Sequence, residues 1–211
     1  MLDPDAIDPG GPIDPAVPDP QPVEDVSRPA AFTLMAPGWY PPEHAITQAY
    51  GFCFTDHSLV ALVHTHDGFN NLPGGQLEPG ETAGDALVRE VAEEASAHVT
   101  ACRYLASQHV WDPQAPDGPT GHYQTRWWAR IELDPWQPNH EYVARQLVPP
   151  SDVLATLSWR RKQIAAKLLD LALAAERGYR RGGQMAAPFP SGINRYWSGS
   201  TPVVMKPDRQ L

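Results

Sequence analysis

Apolar and polar positions follow distinct rhythms along the chain. From Ile46 to Thr55 and from Leu59 to His66 the residues are largely aliphatic, aromatic or β-branched, and Asp56-His57-Ser58 lies between them. That pattern predicts a β-hairpin. Asp67 to Gly75 holds three glycines and a proline, which predicts a loop. Glu81 to about Ser96 has helical spacing, with Val88, Val91, Ala92 and Ala95 expected to pack against a sheet. Residues 98–111 and 122–133 predict two strands, joined by the proline- and glycine-rich loop from Asp112 to Gly121. A further strand is expected over Ala144–Val148. Pro149-Pro150 ends it, and Ser151-Asp152 suits the start of a helix. A long helix is expected from about Trp159 to Arg177, with Ile164, Leu168, Leu171 and Ala175 on its apolar stripe. Arg160, Arg161, Lys162 and Lys167 read as its solvated face.

The rhythm fails before Ala30, where Asp-Pro and Pro-x-Asp pairs recur. Proline removes backbone donors, so residues 1–30 read as a flexible or extended arm. Residues 31–178 read as one folded domain and 179–211 as an irregular tail. Seven acids and one base in the arm supply −6 of the net charge of −9, so the remainder carries only −3. Such a surface does not favour a nucleic-acid polymer. A small phosphorylated substrate remains compatible with it if metal ions screen the repulsion. No apolar run approaches the roughly 20 residues that cross a bilayer. The first residues lack the pattern of a secretory signal. The expected setting is cytoplasmic, away from membranes. Cys53 and Cys102 are expected to be buried thiols.

Chemistry concentrates between Gly75 and Glu94. At 100° per residue, Glu93 lies about 60° to one side of Glu90 and Glu94 about 40° to the other. Three carboxylates on one helix face repel one another, and Arg89 supplies a single counter-charge. A divalent cation would supply more. Carboxylate oxygens suit Mg²⁺, or Mn²⁺, better than zinc. Gly74-Gly75 allows close backbone approach, and Gly80 a sharp turn into the helix. Thr82 or Glu81 is expected to cap it.

The order and spacing of Gly75, Glu81, Arg89, Glu90, Glu93 and Glu94 resemble the Nudix box, and Leu72-Pro73-Gly74-Gly75 resembles its usual approach. The match departs at Ser96, where the family has glycine, and at Asn70-Asn71, where an aromatic residue is common. The resemblance implies an α/β fold, an α/β/α sandwich with a mixed β-sheet. It implies a magnesium-dependent hydrolase cleaving a phosphoanhydride in a nucleotide-type substrate, with a homodimer as one possible assembly. By the same resemblance Glu90 and Glu94 are the chief metal ligands, Glu93 a secondary one, and the Gly74 carbonyl a further one. Gly75 shapes the substrate side, Arg89 orients a carboxylate, and Glu81 steadies the junction or meets an ion through water. Glu141, in a later loop, and Glu90 are candidates for the base. Trp111, Tyr123, Trp127 and Trp128 are aromatic residues able to stack a base, with Trp111 the one assigned to substrate. Retention of every box acid favours an enzyme over the alternative, a non-catalytic Nudix-fold regulator that senses a nucleotide.

Overall fold

The computed structural model describes residues 31–113, 120–139 and 141–181. The arm, the tail from 182 onward and the centre of the loop from Asp112 to Gly121 lie outside them. Eight strands form one mixed sheet: β1 (Ala31–Leu34), β2 (Ile46–Phe54), β3 (Val60–Thr65), β4 (Asn70–Asn71), β5 (Gly74–Gln76), β6 (Ala97–Asp112), β7 (Thr120–Leu133) and β8 (Tyr142–Val148). The main order is β1-β6-β7-β2-β3-β4, with β5 on β2 and β8 on β3. β2 and β7 run parallel, and the other pairings are antiparallel. Helix α1 (Ala83–Ala95) covers one face; α2 (Val153–Thr156) and α3 (Lys162–Arg180) cover the other. This is the expected three-layer sandwich.

The hairpin forms as its pattern predicts, with Cys53 opposite Ala61. Ser58, in its turn, adopts a positive φ of 59°. The glycine-rich stretch is more ordered than a loop. It contributes β4 to β3 and β5 to β2, so the sheet itself holds the glycine bend in place. β1 was not separately predicted; four residues of half-exposed pattern carry little periodic signal. It is recognisable only through its pairing with β6.

Successive strand residues face opposite layers. Trp127 packs with α1 and Trp128 with α3, and both are fully buried. Cys53 and Cys102 are free, buried thiols, as expected. Burial pushes the Cys102 thiol up to about 12, so both behave as packing groups.

Thr82 caps α1. Its hydroxyl accepts from the Asp85 N–H, and Asp85 accepts from the Thr82 N–H, a reciprocal capping box. At the other end Ser96 takes the left-handed conformation, with φ 45° and ψ 58°. Glycine is the low-strain residue there. The serine is fastened on several sides. Its hydroxyl accepts from the Gln137 N–H at 3.2 Å, and its carbonyl accepts from the Asp134 N–H at 2.9 Å. Arg145 donates to the carbonyls of both Ala95 and Ser96.

α3 is stapled to the sheet through a buried acid. Glu176 accepts from the Trp128 indole at 3.0 Å, from Arg130 at 2.5 Å and from Arg180 at 2.7 Å. Burial alone would raise the Glu176 pKa, but hydrogen bonds from Arg180 and Trp128 and the Arg130 charge outweigh it and hold the carboxyl low. Its contribution is therefore complete above the unfolded value of about 4.3 and is lost as pH falls through the lower folded value. Glu176→Gln leaves the buried Arg130 with only the exposed Asp56 carboxylate, 3.9 Å away, as its anion. Denaturant unfolding at neutral pH should show a loss of about 3–5 kcal/mol. The difference from the parent should shrink below pH 4. Ser96→Val puts a β-branched residue in the left-handed region, and the same assay should show a loss of about 1–2 kcal/mol.

Candidate active site

The site is built where β5 meets α1. Gly74 adopts a φ of 141°, and a Cβ there would lie 2.2 Å from the Ala49 carbonyl oxygen and 2.5 Å from the Tyr50 Cα. Only glycine lets β5 lie this close to β2. A Cβ on Gly75 would stand 2.5 Å from a Glu90 carboxylate oxygen. The second glycine therefore makes room for a carboxylate.

Two of the three helix acids meet this bend. Glu94 is 4% exposed and Glu90 9%. The Gly74 N–H donates to Glu94 at 2.8 Å. The Tyr142 hydroxyl is a second hydrogen-bond partner of Glu94. Burial pushes the Glu94 carboxyl up to about 8, against both partners. Burial likewise raises Glu90, while Arg89 acts to lower it. Among the described residues no cationic side chain pairs with Glu94. The helix is turned further than expected. Ala92 and Glu93 face solvent, and Glu90 and Glu94 share the buried stripe with Leu87 and Val91. The expected packing of Ala92 against the sheet is thus corrected. The bend takes up the carboxylates, so the acidic edge turns inward and the small Ala92 outward.

Arg89 ties the motif together. It donates to both oxygens of Glu81 at 3.0 Å and to the Gln76 carbonyl at 2.8 Å. Its remaining nitrogen lies 3.1 Å from Glu90 and 3.2 Å from Glu93. A planar guanidinium is suited to such a fork. Glu81 also accepts from the Glu78 N–H at 2.8 Å, so it steadies the turn into α1. Burial would raise its pKa, but the Arg89 hydrogen bonds and the Glu78 N–H hold it low. Glu93 is exposed and stands on the flank, beside Arg89.

The loop before β8 faces the pair. Asn139 accepts from the N–H groups of Glu141 and Tyr142 and donates to the Glu93 carbonyl at 2.9 Å. It therefore fastens this loop to the end of α1. The Glu141 charge acts on Glu90, Glu94 and Tyr50. Tyr142 and Tyr50 were not singled out in the sequence. Each is one aromatic residue in a strand, and only the fold places them beside Glu94 and Gly74.

Among the described residues no three His, Cys, Asp or Glu side chains are grouped closely enough to cage a metal ion by themselves. The donors still fit a hard divalent cation. Two desolvated carboxylates stand beside a glycine bend, and Mg²⁺ ordinarily uses only one or two carboxylates, completing its shell with water and phosphate oxygens.

The aromatic candidates disperse. Trp127 and Trp128 belong to the core. Trp111 is 42% exposed on β6 beside His109, and Tyr123 packs against Trp39 and His109. Neither is grouped with the helix acids.

Comparison with known proteins agrees with this construction. The family model described as NUDIX domain matches residues 46–169. Among solved structures, the Bacillus subtilis pyrophosphohydrolase BsRppH aligns with a TM-score of 0.57 and 22% identity over 70% of this chain and 92% of its own. An ADP-ribose pyrophosphatase from Streptococcus suis aligns with a TM-score of 0.43 and 23% identity, over 62% and 90%. A C. elegans Ap4A hydrolase aligns with a TM-score of 0.46 and 18% identity, over 63% and 98%. No curated protein matches in sequence. The family model spans more than half of the chain and includes the whole glycine bend and acidic helix, so the chain belongs to the Nudix family, as a Nudix hydrolase.

Proposed function

We propose that this domain is a Mg²⁺-dependent pyrophosphatase, with Mn²⁺ as a substitute ion. Its substrate is a nucleoside diphosphate linked to a further group, and its products are a nucleoside monophosphate and the phosphorylated remainder. ADP-ribose-like compounds, dinucleoside polyphosphates and nucleoside triphosphates are the candidate classes. The observation that carries this reading is the pair of buried carboxylates, Glu90 and Glu94, held against Gly74-Gly75 with, among the described residues, no cation paired with Glu94.

In this reading Glu90, Glu94 and the Gly74 carbonyl hold the ion, with Glu93 as a secondary ligand. When bound, the ion screens the anhydride oxygens and makes the attacking water more acidic. Arg89 positions Glu90 and Glu93 while anchoring Glu81, so its role is orientation. Gly75 leaves the space in which the Glu90 carboxylate and a phosphate group approach each other. Glu141 stands in the adjoining loop and takes the proton of the attacking water; Glu90 is the other acid able to do so. The retained acids and Arg89 support turnover over nucleotide sensing without chemistry. Among the described residues no helix is long and apolar enough to cross a membrane.

Product release from a panel of these nucleotides should require Mg²⁺ and stop in EDTA. Glu94→Gln should lower kcat by about 10²-fold or more, with the melting temperature unchanged or raised because a desolvated acid is removed. Full activity in this variant would exclude the assigned role. Gly75→Ala places a methyl against Glu90. A displacement of about 1 Å suffices for a rate loss of about 10²-fold, and circular dichroism should show an intact fold.

A further inference from the structure

A second polar site lies next to the first, on the opposite face of β2. A pocket of about 170 Å³ is lined by three arginines, Arg126, Arg160 and Arg161, and, among the described residues, by no acidic one. Its volume is below the roughly 300 Å³ at which small-molecule sites begin, so it suits one group of a ligand. Arg126 sits in the floor, 3% exposed. Its guanidinium lies 4.8 Å from the Tyr50 ring centre and 5.2 Å from that of Trp159. It donates to the Thr125 carbonyl and the Gln124 amide oxygen, but its Nε has no partner. Among the described residues no carboxylate pairs with it. Burial pushes its pKa down to about 10, which reflects a desolvated cation lacking an anion.

The surroundings have the same bias. The buried Gln108 amide oxygen is also without a partner, and an amide presents a donor or an acceptor by rotation. Gln108 and Gln124 are register partners, and Arg126 pairs with Tyr50 across β2. Tyr50 is also opposite Gly74 and feels the charges of Glu90 and Glu94. Tyr50 therefore belongs both to the pocket and to the edge of the hydrolytic site. α3 begins beside it. Arg161 is its N-cap, offers no side-chain acceptor, and no acid stands in the first turn. The Asn70-Asn71 departure acquires a role here. Asn71 accepts from the Trp159 indole at 2.8 Å, and Asn70 is bound twice to Ser158, so β4 holds the pocket wall.

We propose that this pocket is an oxyanion subsite that takes a phosphate group, with Arg126 as its buried anchor and Arg160 and Arg161 at its exposed rim. That phosphate is either a monoester at the end of the substrate remote from the anhydride or free inorganic phosphate. The binding part of the proposal does not need the hydrolytic reading; the substrate part rests on it.

Calorimetric titration of the full chain with inorganic phosphate in EDTA excludes metal-held phosphate. One binding event is expected. Arg161→Ala should weaken it about tenfold, the loss of one charge-assisted contact. Arg126→Met should abolish it, with circular dichroism confirming the fold. Glu94→Gln should bind phosphate as the parent does, which separates this site from the catalytic one. With Mg²⁺ present, two hydrolysable nucleotides differing only in a remote phosphate distinguish the sources. A lower KM for the phosphorylated member, lost in Arg161→Ala, assigns the site to substrate. Equal KM values together with phosphate binding assign it to free phosphate. Absence of phosphate binding, or binding unchanged in both arginine variants, overturns the proposal.

Discussion

Two carboxylates are held out of water a short distance from a backbone bend, and one of them, among the described residues, pairs with no positive side chain. Glu90 and Glu94 cost stability in that position, because burial disfavours their charged forms. Much of the local structure keeps them there. The two glycines bring β5 onto β2 and clear the space beside Glu90. The capping box fixes where α1 begins, and Arg145 with the left-handed Ser96 fixes where it ends. Arg89 locks the turn to the helix face through Glu81. Two carboxyl groups whose charged forms are disfavoured by burial make a poor structural device, which is why the proposed function gives them a cation to bind.

The parts visible in the sequence were those governed by local rules. The hairpin follows from strand alternation around a polar turn. The box follows from helix geometry, since residues three and four apart must share a face. A cap at Thr82 or Glu81, and a serine where the family has glycine at the end of the helix, are likewise local. Features that depend on pairing between distant segments were hidden. β4 and β5 lie in a stretch whose composition says loop, and only β3 and β2 make them strands. The rotation of α1, which buries Glu94 and exposes Ala92, is set by the bend rather than by helix amphipathicity. Tyr50, Tyr142 and Arg126 carried no motif, because their importance arises from register. Arg160 and Arg161 read correctly as exposed but incompletely as surface, since α3 starts against a pocket.

The charge pattern reconciles an acidic chain with a phosphate ligand. The net charge is negative, yet among the described residues the charged side chains lining the pocket beside Tyr50 are all arginines. In the proposed reading the carboxylate corner takes a cation and the arginine pocket takes an anion. A molecule with phosphates at two points, accompanied by a divalent ion, would meet both proposals, with Tyr50 shared between the two regions.

Divalent-ion affinity at the buried pair is the most direct measurement. Titration of the nucleotide-free protein with Mn²⁺, followed by electron paramagnetic resonance of the free ion, compares the parent with Glu90→Gln and Glu94→Gln. The account predicts a bound ion in the parent that is lost or much weakened in both variants. Equal Mn²⁺ binding by all three proteins would contradict it.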